Sequence, residues 1–356
     1  MSAPATTVQT SLGLNYRKLW SSSAVSNLAD GVFVVALPLI AVSLTTSPAL
    51  VAGVTIAGRL PWLVFVLIAG ALADRLDRRI TMRNVQLMRL VVVGLMAVLA
   101  ASGELSLVVL YLAAFALGIG ETLFDTAAQS IMPSIVPRDL LSRANGRLYA
   151  VELTMNTFVG PPLGGFLVAI SVPLALAGSA VAYGLAAIGL VLQVGPFKPT
   201  PDGPRRSMVS EIREGFRFLW GNQVLRALAV MVAVSNLTNS AVVAVFVLYA
   251  VAPGPMGLDE VGYGLIITAM AVGGLLGSVI EERVEARLGR SNVLFLTVVV
   301  VGLALLVPVL TAQPLVVAAG KVAMGATFMM WNIITVSLRQ RITPDYLLGR
   351  LNATYR

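Results

Sequence analysis

Apolar residues in this chain form long continuous runs that are separated by short polar or charged connections. A helix that crosses a bilayer needs roughly 20 mainly apolar residues, and ten runs reach about that length. Because the runs do not alternate apolar and polar positions, they predict helices rather than barrel strands. The predicted spans cover residues 19–44, 50–73, 84–101, 107–131, 144–170, 172–195, 223–251, 260–280, 292–311 and 314–338. The pattern predicts an all-α integral membrane protein.

The basic residues predict the orientation of these spans. All but two of the 25 Lys and Arg residues are assigned to alternate connections or to the adjoining helix ends. The intervening connections, near 45–49, 102–106, 171, 252–259 and 312, contain none. Since cytoplasmic loops carry the excess of Lys and Arg, we expect a cytoplasmic N-terminus and a multi-pass protein of the inner or plasma membrane.

Composition excludes several other classes of protein. Hydrophobic residues make up 57% of the chain and charged residues 12%, with a mean hydropathy of +0.88, whereas soluble domains carry about 25% charged residues. The net charge of +8 follows from the loop asymmetry and does not indicate nucleic-acid binding. The chain has neither Cys nor His, so we expect no metal site and no cofactor. Any transported proton must bind a carboxylate.

Two short patterns occur twice. The segment from Gly70 to Asp74 corresponds to Gly277 to Glu281, with an offset of 207 at both the glycine and the acid. Residues 24–28, Ala-Val-Ser-Asn-Leu, recur at 233–237. A duplicated membrane domain is typical of transporters that alternate access between the two sides of the membrane.

The repeat divides the chain into a six-helix half over residues 1–195, a cytoplasmic connector over 196–222 and a second half over 223–356. By the offset of 207, Arg356 corresponds to Tyr149, near the start of the fifth span. We therefore expect about ten complete helices of a twelve-helix protein that is truncated at its C-terminus.

The connector contains a candidate amphipathic helix. Ile212, Phe216 and Leu219 share one helical face, while Arg213 and Arg217 point away from it. This pattern predicts a helix in the membrane interface, and a polar linker is the alternative.

Ionisable residues inside the predicted spans mark a candidate cavity. A charge at membrane depth costs roughly 2.5–3.5 kcal/mol on insertion scales, so such residues normally face a cavity and carry function. Asp30, Glu121 and Glu152 lie at similar depths, about 12–17 Å from the cytoplasmic helix ends. The candidate proton and substrate cavity consists of Asp30, Arg59, Glu121, Asp125 and Glu152, together with Asn27, Asn236 and Asn239.

Alternative roles for these charges stay open. Asp30 and Glu121 could instead form an intramembrane ion pair with Arg59, and Asp125 could form an ion pair at a helix end. Four acids against Arg59 and Lys321 leave a formal charge of −2 inside the spans. Clustered carboxylates in a low-dielectric cleft favour proton uptake, and a negative cavity favours cationic or amphipathic substrates.

Two runs of residues form recognisable motifs. The first, from Gly70 to Arg79, reads G-x-L-A-D-R-x-x-R-R, and the second, from Gly160 to Gly165, reads Gly-Pro-Pro-Leu-Gly-Gly. The first resembles the signature between the second and third helices of the major facilitator superfamily, with Asp77 where many members have Gly, and the second is similar to the core of a motif associated with drug–proton antiporters. The chain thus resembles that superfamily, and specifically its drug- and siderophore-efflux branch, which implies the major facilitator fold with two pseudo-symmetric helical halves.

The first motif implies a conformational latch. Gly70 lets two helices approach closely, and the resemblance places Asp74 near the positive end of the eleventh helix. The two arginines that follow can pair with acids such as Asp139. The latch residues are Gly70, Asp74, Arg78 and Arg79, with Glu281 in the second copy.

The second motif predicts a break in the fifth span, because Pro161 donates no backbone hydrogen bond. Gly160 belongs to the same break, and Gly164 and Gly165 allow a close neighbour. We expect that neighbour to be the eighth span, through Gly273, Gly274 and Gly277. A packing kink without a role in transport direction is the alternative.

These patterns predict a secondary transporter that exports a small amphipathic molecule, a drug-like compound or a siderophore, by proton antiport. Its expected partners are the lipid bilayer, the substrate and protons, and we expect a monomer that is not an enzyme. Nutrient uptake on the same fold and a non-transporting membrane sensor are the alternatives. ATP-driven transport is disfavoured because the sequence contains no G-x-x-x-x-G-K-[ST] phosphate loop.

The topology makes a direct prediction. A reporter fused after residue 203 should give a cytoplasmic signal, and one fused within 252–257 an external signal, because basic residues are absent from the second connection. Paired alkaline-phosphatase and green-fluorescent-protein fusions measure both. Inverted signals would contradict the assigned orientation.

Overall fold

The computed structural model describes residues 12–73, 76–137, 140–195, 197 and 208–342. Within these ranges the regular secondary structure is helical. In addition, Val251 and Leu258 form an isolated β-bridge. The elements are α1 (Leu14–Leu44), α2 (Pro48–Ala73), α3 (Arg78–Ala101), α4 (Leu107–Ile135), α5 (Leu141–Leu153), a π-helical segment (Thr154–Val159), α6 (Gly160–Ile170), α7 (Val172–Val191), α8 (Met208–Gly221), α9 (Gln223–Ala250), α10 (Glu260–Leu288), α11 (Arg290–Leu310) and α12 (Pro314–Ile342).

Each predicted span coincides with a helix. In the described part of the chain, nine helical stretches are long and apolar enough to cross a membrane, with α5, the π-helical segment and α6 forming one of them. The helix α2, which is 26 residues long, corresponds to the remaining predicted span. The prediction of an all-α membrane protein is confirmed.

Several helices extend beyond the apolar runs because local capping sets their ends. At the start of α3, the Asp77 carboxylate accepts hydrogen bonds from the backbone N–H groups of Arg79 (3.0 Å) and Ile80 (3.1 Å). This N-cap begins the helix six residues before the predicted span. Helix α10 runs eight residues past its predicted end, to Leu288, and the next residue, Gly289, has a φ of +78° that suits glycine and stops the helix.

The chain forms two compact units. The described residues within 1–44 and 54–199 belong to the first, and those within 45–53 and 200–356 belong to the second. In the first unit, α7 packs against α1 and α3, α4 packs against α3, and α6 packs against α1. In the second unit, α12 packs against α10 and α11, and α8 packs against α9. The predicted limits of the connector stay a prediction.

The fifth predicted span is interrupted, as its glycine–proline run predicts. Pro161 lacks an N–H group, and its ring would clash with the carbonyl group four residues earlier in a regular α-helix. The chain widens into the π-helical segment just before this point, and the Gly160 N–H group donates to the Met155 carbonyl oxygen, five residues back. The break is therefore a change of helix type at a defined position.

Glycines at this break bring the backbone close to α1. A Cβ atom on Gly31 would lie 2.7 Å from the carbonyl oxygen of Asn156, and one on Gly164 would lie 2.7 Å from that of Val32. The prediction that Gly164 packs against the eighth span is wrong, because α1 of its own unit occupies that face. Gly165 is also buried.

Glycines of the second unit join α10 to α12. A Cβ atom on Gly273 would lie 2.8 Å from the Val322 Cα atom, and one on Gly277 would lie 2.7 Å from the Ala326 Cα atom. The partner predicted for these two glycines was therefore also wrong. Gly325 packs against α10, and Gly118, which is 207 residues earlier, packs against α2 in the same way. The duplication is thus visible in the packing.

The helix of the connector is formed as predicted. In α8, Leu219 is buried against Leu225 of α9, while Phe216 and Trp220 are exposed and stack with their ring centroids 5.3 Å apart. Exposed aromatic rings beside the exposed Arg213 suit a membrane interface, and that location stays a prediction.

The contact between α1 and the π-helical segment can be tested with a matched pair of glycine variants. Gly31→Ala should lower the free energy of unfolding by about 1–3 kcal/mol, because its Cβ atom would overlap the opposing backbone. Gly94→Ala is the control, since a Cβ atom there meets nothing within 4 Å. Thermal unfolding in detergent, followed by fluorescence-detected gel filtration, measures both. Equal melting temperatures for the two variants would contradict the packing described.

Candidate functional site

A buried ion pair lies in the middle of the first unit. The Arg89 guanidinium on α3 contacts both carboxylate oxygens of Asp30 on α1 at 3.2 Å. The Arg89 side chain is 1% exposed and that of Asp30 is 19% exposed. Removing two charges from water is costly, so this pair requires further hydrogen bonds to be stable.

Three polar side chains from neighbouring turns supply those bonds. The Tyr183 hydroxyl on α7 donates to Asp30 Oδ1 at 2.7 Å. The Ser26 hydroxyl accepts from Arg89 at 3.2 Å and from the Gln86 amide at 2.8 Å. The network therefore ties α1, α3 and α7 together at one depth.

Aromatic rings cover the guanidinium. Its carbon lies 5.3 Å from the centroid of Tyr183 and 5.9 Å from that of Phe124 on α4. Such rings attract a cation and exclude water from it. Even so, Arg89 Nε and Gln86 Oε1 have no hydrogen-bond partner among the described residues. The described network therefore still contains one free donor and one free acceptor. Such free groups are expected where side chains exchange their hydrogen-bond partners.

The predicted acids gather around this pair. Glu121 and Asp125 on α4 both interact electrostatically with Arg89 and Asp30, and Asp125 also interacts with Glu152 on α5. The Trp62 indole lies 3.5 Å from Glu121 Oε2, as a long hydrogen bond. The structure therefore brings the four predicted carboxylates into one electrostatic cluster. Among the amides, Asn27 donates to the Ser23 carbonyl oxygen at 2.9 Å.

The structure does not place Arg59 in the ion pair that was suggested for it. Its side chain is exposed on α2, and the ion pair suggested between Asp30 and Arg59 is wrong, because Asp30 pairs with Arg89. Sequence reasoning missed Arg89 by grouping it with basic residues at helix ends. The available signal was depth: Arg89 lies eleven residues into α3, about 16 Å from its start.

The amides predicted for the second half line a separate cavity within the second unit. This cavity has a volume of about 100 Å³ and is lined by both Asn236 and Asn239 of α9. Asn239 Oδ1 is buried and has no hydrogen-bond partner among the described residues. The remaining lining is mainly apolar and comes from α9, α10, α11 and α12.

The latch residues are only partly described. Asp74 and Asp139 lie outside the described residues, and Gly70 lies near the end of α2. The Arg79 guanidinium donates to the Gln193 carbonyl oxygen at 2.5 Å and lies over the Phe197 ring, while Arg78 begins α3. In the second copy Glu281 is buried near the end of α10, and Glu285 pairs with Arg290. The latch stays a prediction.

Solved structures share this architecture. The crystal structure of the nucleoside transporter NupG aligns with a TM-score of 0.69 at 14% identity, covering 96% of this chain and 85% of that one. A bacterial homologue of the human lysosomal transporter Spinster, in its inward-facing and unoccupied conformation, aligns with a TM-score of 0.67 at 17% identity, covering 96% and 79%. The fold is that of a multi-pass membrane protein, the major facilitator fold.

Sequence comparison gives the family. Residues 12–356 match the family model described as transmembrane secretion effector, and the chain belongs to that family. It is 26% identical to the enterobactin exporter EntS of Salmonella typhimurium strain LT2, over 96% of this chain and 81% of that protein. It is also 26% identical to the multidrug efflux pump Tap of Mycolicibacterium fortuitum, over 93% and 82%.

The buried ion pair predicts that removing one of its charges destabilises the protein more than removing both. Arg89→Leu should lower the free energy of unfolding by about 3–5 kcal/mol, because it leaves the Asp30 carboxylate buried without a cation. Adding Asp30→Asn should recover part of that loss. Tyr183→Phe removes one hydrogen bond and should cost only about 1 kcal/mol.

Thermal unfolding of the four variants in one detergent measures this order. Arg83→Leu is the control, because Arg83 lies on the same helix and its guanidinium donates to the side chain of its sequence neighbour Asn84. An Arg89→Leu protein as stable as the parent would show that the pair does not hold the first unit together.

Proposed function

We propose that this chain exports a small amphipathic molecule, a drug-like compound or a siderophore, across the inner membrane by proton antiport. The relatives named as an enterobactin exporter and a multidrug efflux pump support export and the substrate class. The observation that carries the coupling is the buried network of Asp30, Arg89 and Tyr183 beside three further carboxylates. In this proposal the protein acts as a monomer with a cytoplasmic N-terminus.

A proton on Asp30 would change the partner of Arg89. Neutral Asp30 no longer attracts the guanidinium as an ion, while Glu121 and Asp125 on α4 already interact with it. Arg89 would then be held by α4 instead of α1, so protonation alters the contact between two helices of the first unit. A change of this kind is what an alternating-access cycle requires.

When residues in the first two turns of a helix are left out, the charges inside the spans differ between the two units. In the first unit, the four carboxylates against Arg59 and Arg89 leave a formal charge of −2. In the second, Lys321 alone contributes +1, so the total is −1, in place of the −2 counted without Arg89. The negative unit can bind protons, and the substrate need not be cationic.

The coupling can be measured in proteoliposomes that contain the full chain, with phenylnaphthylamine as an uncharged amphipathic probe. A pH gradient should drive its uphill accumulation in the parent protein. The triple variant Asp30→Asn, Glu121→Gln, Glu152→Gln should lose that accumulation and retain part of the downhill exchange, because its binding surfaces remain. Glu104→Gln, in an exposed connection, is the control for a neutralised carboxylate.

Uphill transport that persists in the triple variant would contradict this assignment of the proton site. Asp125 would then be the next residue to test, since it belongs to the same electrostatic cluster.

A further inference from the structure

The cavity of the second unit lies between facing stretches of α9 and α12. Asn236 and Asn239 line it from α9, and Met324, Phe328 and Trp331 line it from α12. These α12 residues are spaced by three and four positions, so they share one helical face. Lys321 precedes Met324 by three positions on that same face.

Lys321 is a cation at membrane depth without an anionic partner in the described part of the chain. Its ammonium group lies 4.0 Å from the centroid of the Phe246 ring on α9. Arg89 pairs with Asp30 and Arg290 pairs with Glu285, and neither salt bridge includes Lys321. A phenylalanine ring attracts a cation more weakly than burial at membrane depth disfavours it. The site therefore has an uncompensated positive charge.

Phe246 and Lys321 lie just beyond one end of the cavity, and neither of them lines it. Phe246 follows Asn239 by seven residues, which is two helical turns on the same face of α9, or about 10 Å along the helix axis. Along α12 the order is reversed, with Lys321 first and Trp331 last. Asn239 is the lining residue of α9 that is nearest to Phe246, and Met324 is the lining residue of α12 that is nearest to Lys321, so the positive charge lies at the Asn239 end.

The rest of the cavity lining is suited to the apolar body of a ligand. Met270 and Met324 offer flexible thioethers, and Phe328 offers an aromatic face, so an apolar body of variable shape can pack there. The buried Asn239 Oδ1 atom has no donor among the described residues. A ligand hydroxyl or N–H group would supply that donor at the end of the cavity nearest to Lys321.

From these contacts we infer that the second-unit cavity is a binding subsite for amphipathic acids. Lys321 binds the anionic group of the ligand, the methionine and aromatic side chains hold its apolar body, and Asn239 accepts a hydrogen bond from it. This inference rests on the proposed export function, and it names the substrate class. It assigns the anion to the positive unit and the protons to the negative one.

The test compares two dyes that share one ring system. Anilinonaphthalene sulfonate carries an anionic group, and phenylnaphthylamine is its uncharged counterpart. Binding of each dye to the full chain in nanodiscs is measured by equilibrium dialysis, with empty nanodiscs as the blank. Lys321→Gln should weaken sulfonate binding about tenfold or more, because a charge-assisted contact is lost, and should leave binding of the neutral dye within about twofold.

Two matched variants keep the result interpretable. Lys321→Arg retains the cation and should retain most of the sulfonate affinity. Lys18→Gln makes the same charge change at a half-buried position in the first unit, outside the cavity, and should change the binding of neither dye. Sulfonate binding that is indifferent to Lys321, or an equal loss for both dyes, would overturn the inference.

Transport of the neutral dye separates this inference from the proposed function. If the parent transports phenylnaphthylamine against its gradient and Lys321→Gln leaves sulfonate binding unchanged, the inference fails and the export proposal stands. If sulfonate binding depends on Lys321 and neither dye is transported, the subsite stands and the export proposal fails.

Discussion

The ion pair between Asp30 and Arg89 is the constraint on which the first unit depends. It joins α1 to α3 in a region that excludes water, and Tyr183 adds α7 to the same network. A buried pair is a weak source of net stability, yet it is strongly destabilising when one partner is removed. The arrangement of these helices therefore depends on both charges being present, and in the proposed transport cycle protonation of Asp30 removes one of them.

The two units use the same backbone packing and different chemistry. Gly118 and Gly325 occupy equivalent positions, and both bring helices into close contact. At the polar positions the repeat diverges: Asp30 corresponds to Asn239 by the offset of 209, and Arg89 corresponds to Leu296 by the offset of 207. The charged network of one unit is thus replaced in the other by a cavity lined mainly by apolar side chains, with two amides. This difference supports a division of labour between proton and substrate.

Much of the fold could be predicted from the sequence, because long apolar runs have few alternatives to a membrane helix. The ten spans, the break before Pro161 and the grouping of Asp30 with Glu121, Asp125 and Glu152 all follow from hydropathy and depth. Helix ends such as those at Asp77 and Gly289 could not be predicted from the apolar runs. They depend on capping hydrogen bonds and a single backbone angle.

The predictions that were wrong concern which residues or helices contact each other, because these contacts depend on three-dimensional packing. Arg89 was grouped with loop residues because it follows other arginines in the sequence, and only the helix start at Arg78 reveals its depth. Gly164 was assigned a partner on the other half, whereas α1 fills the space beside it. Glycine spacing shows that a close contact exists and does not show which helix provides it.

Proton release on substrate binding tests the central claim most directly. Purified full chain in weakly buffered detergent is mixed with phenylnaphthylamine while a pH-sensitive dye follows the solution. If substrate and proton compete through Asp30 and its neighbours, the parent should release protons on binding, and Asp30→Asn should release markedly fewer at equal dye occupancy. Equal proton release by both proteins would contradict the role assigned to the pair of Asp30 and Arg89.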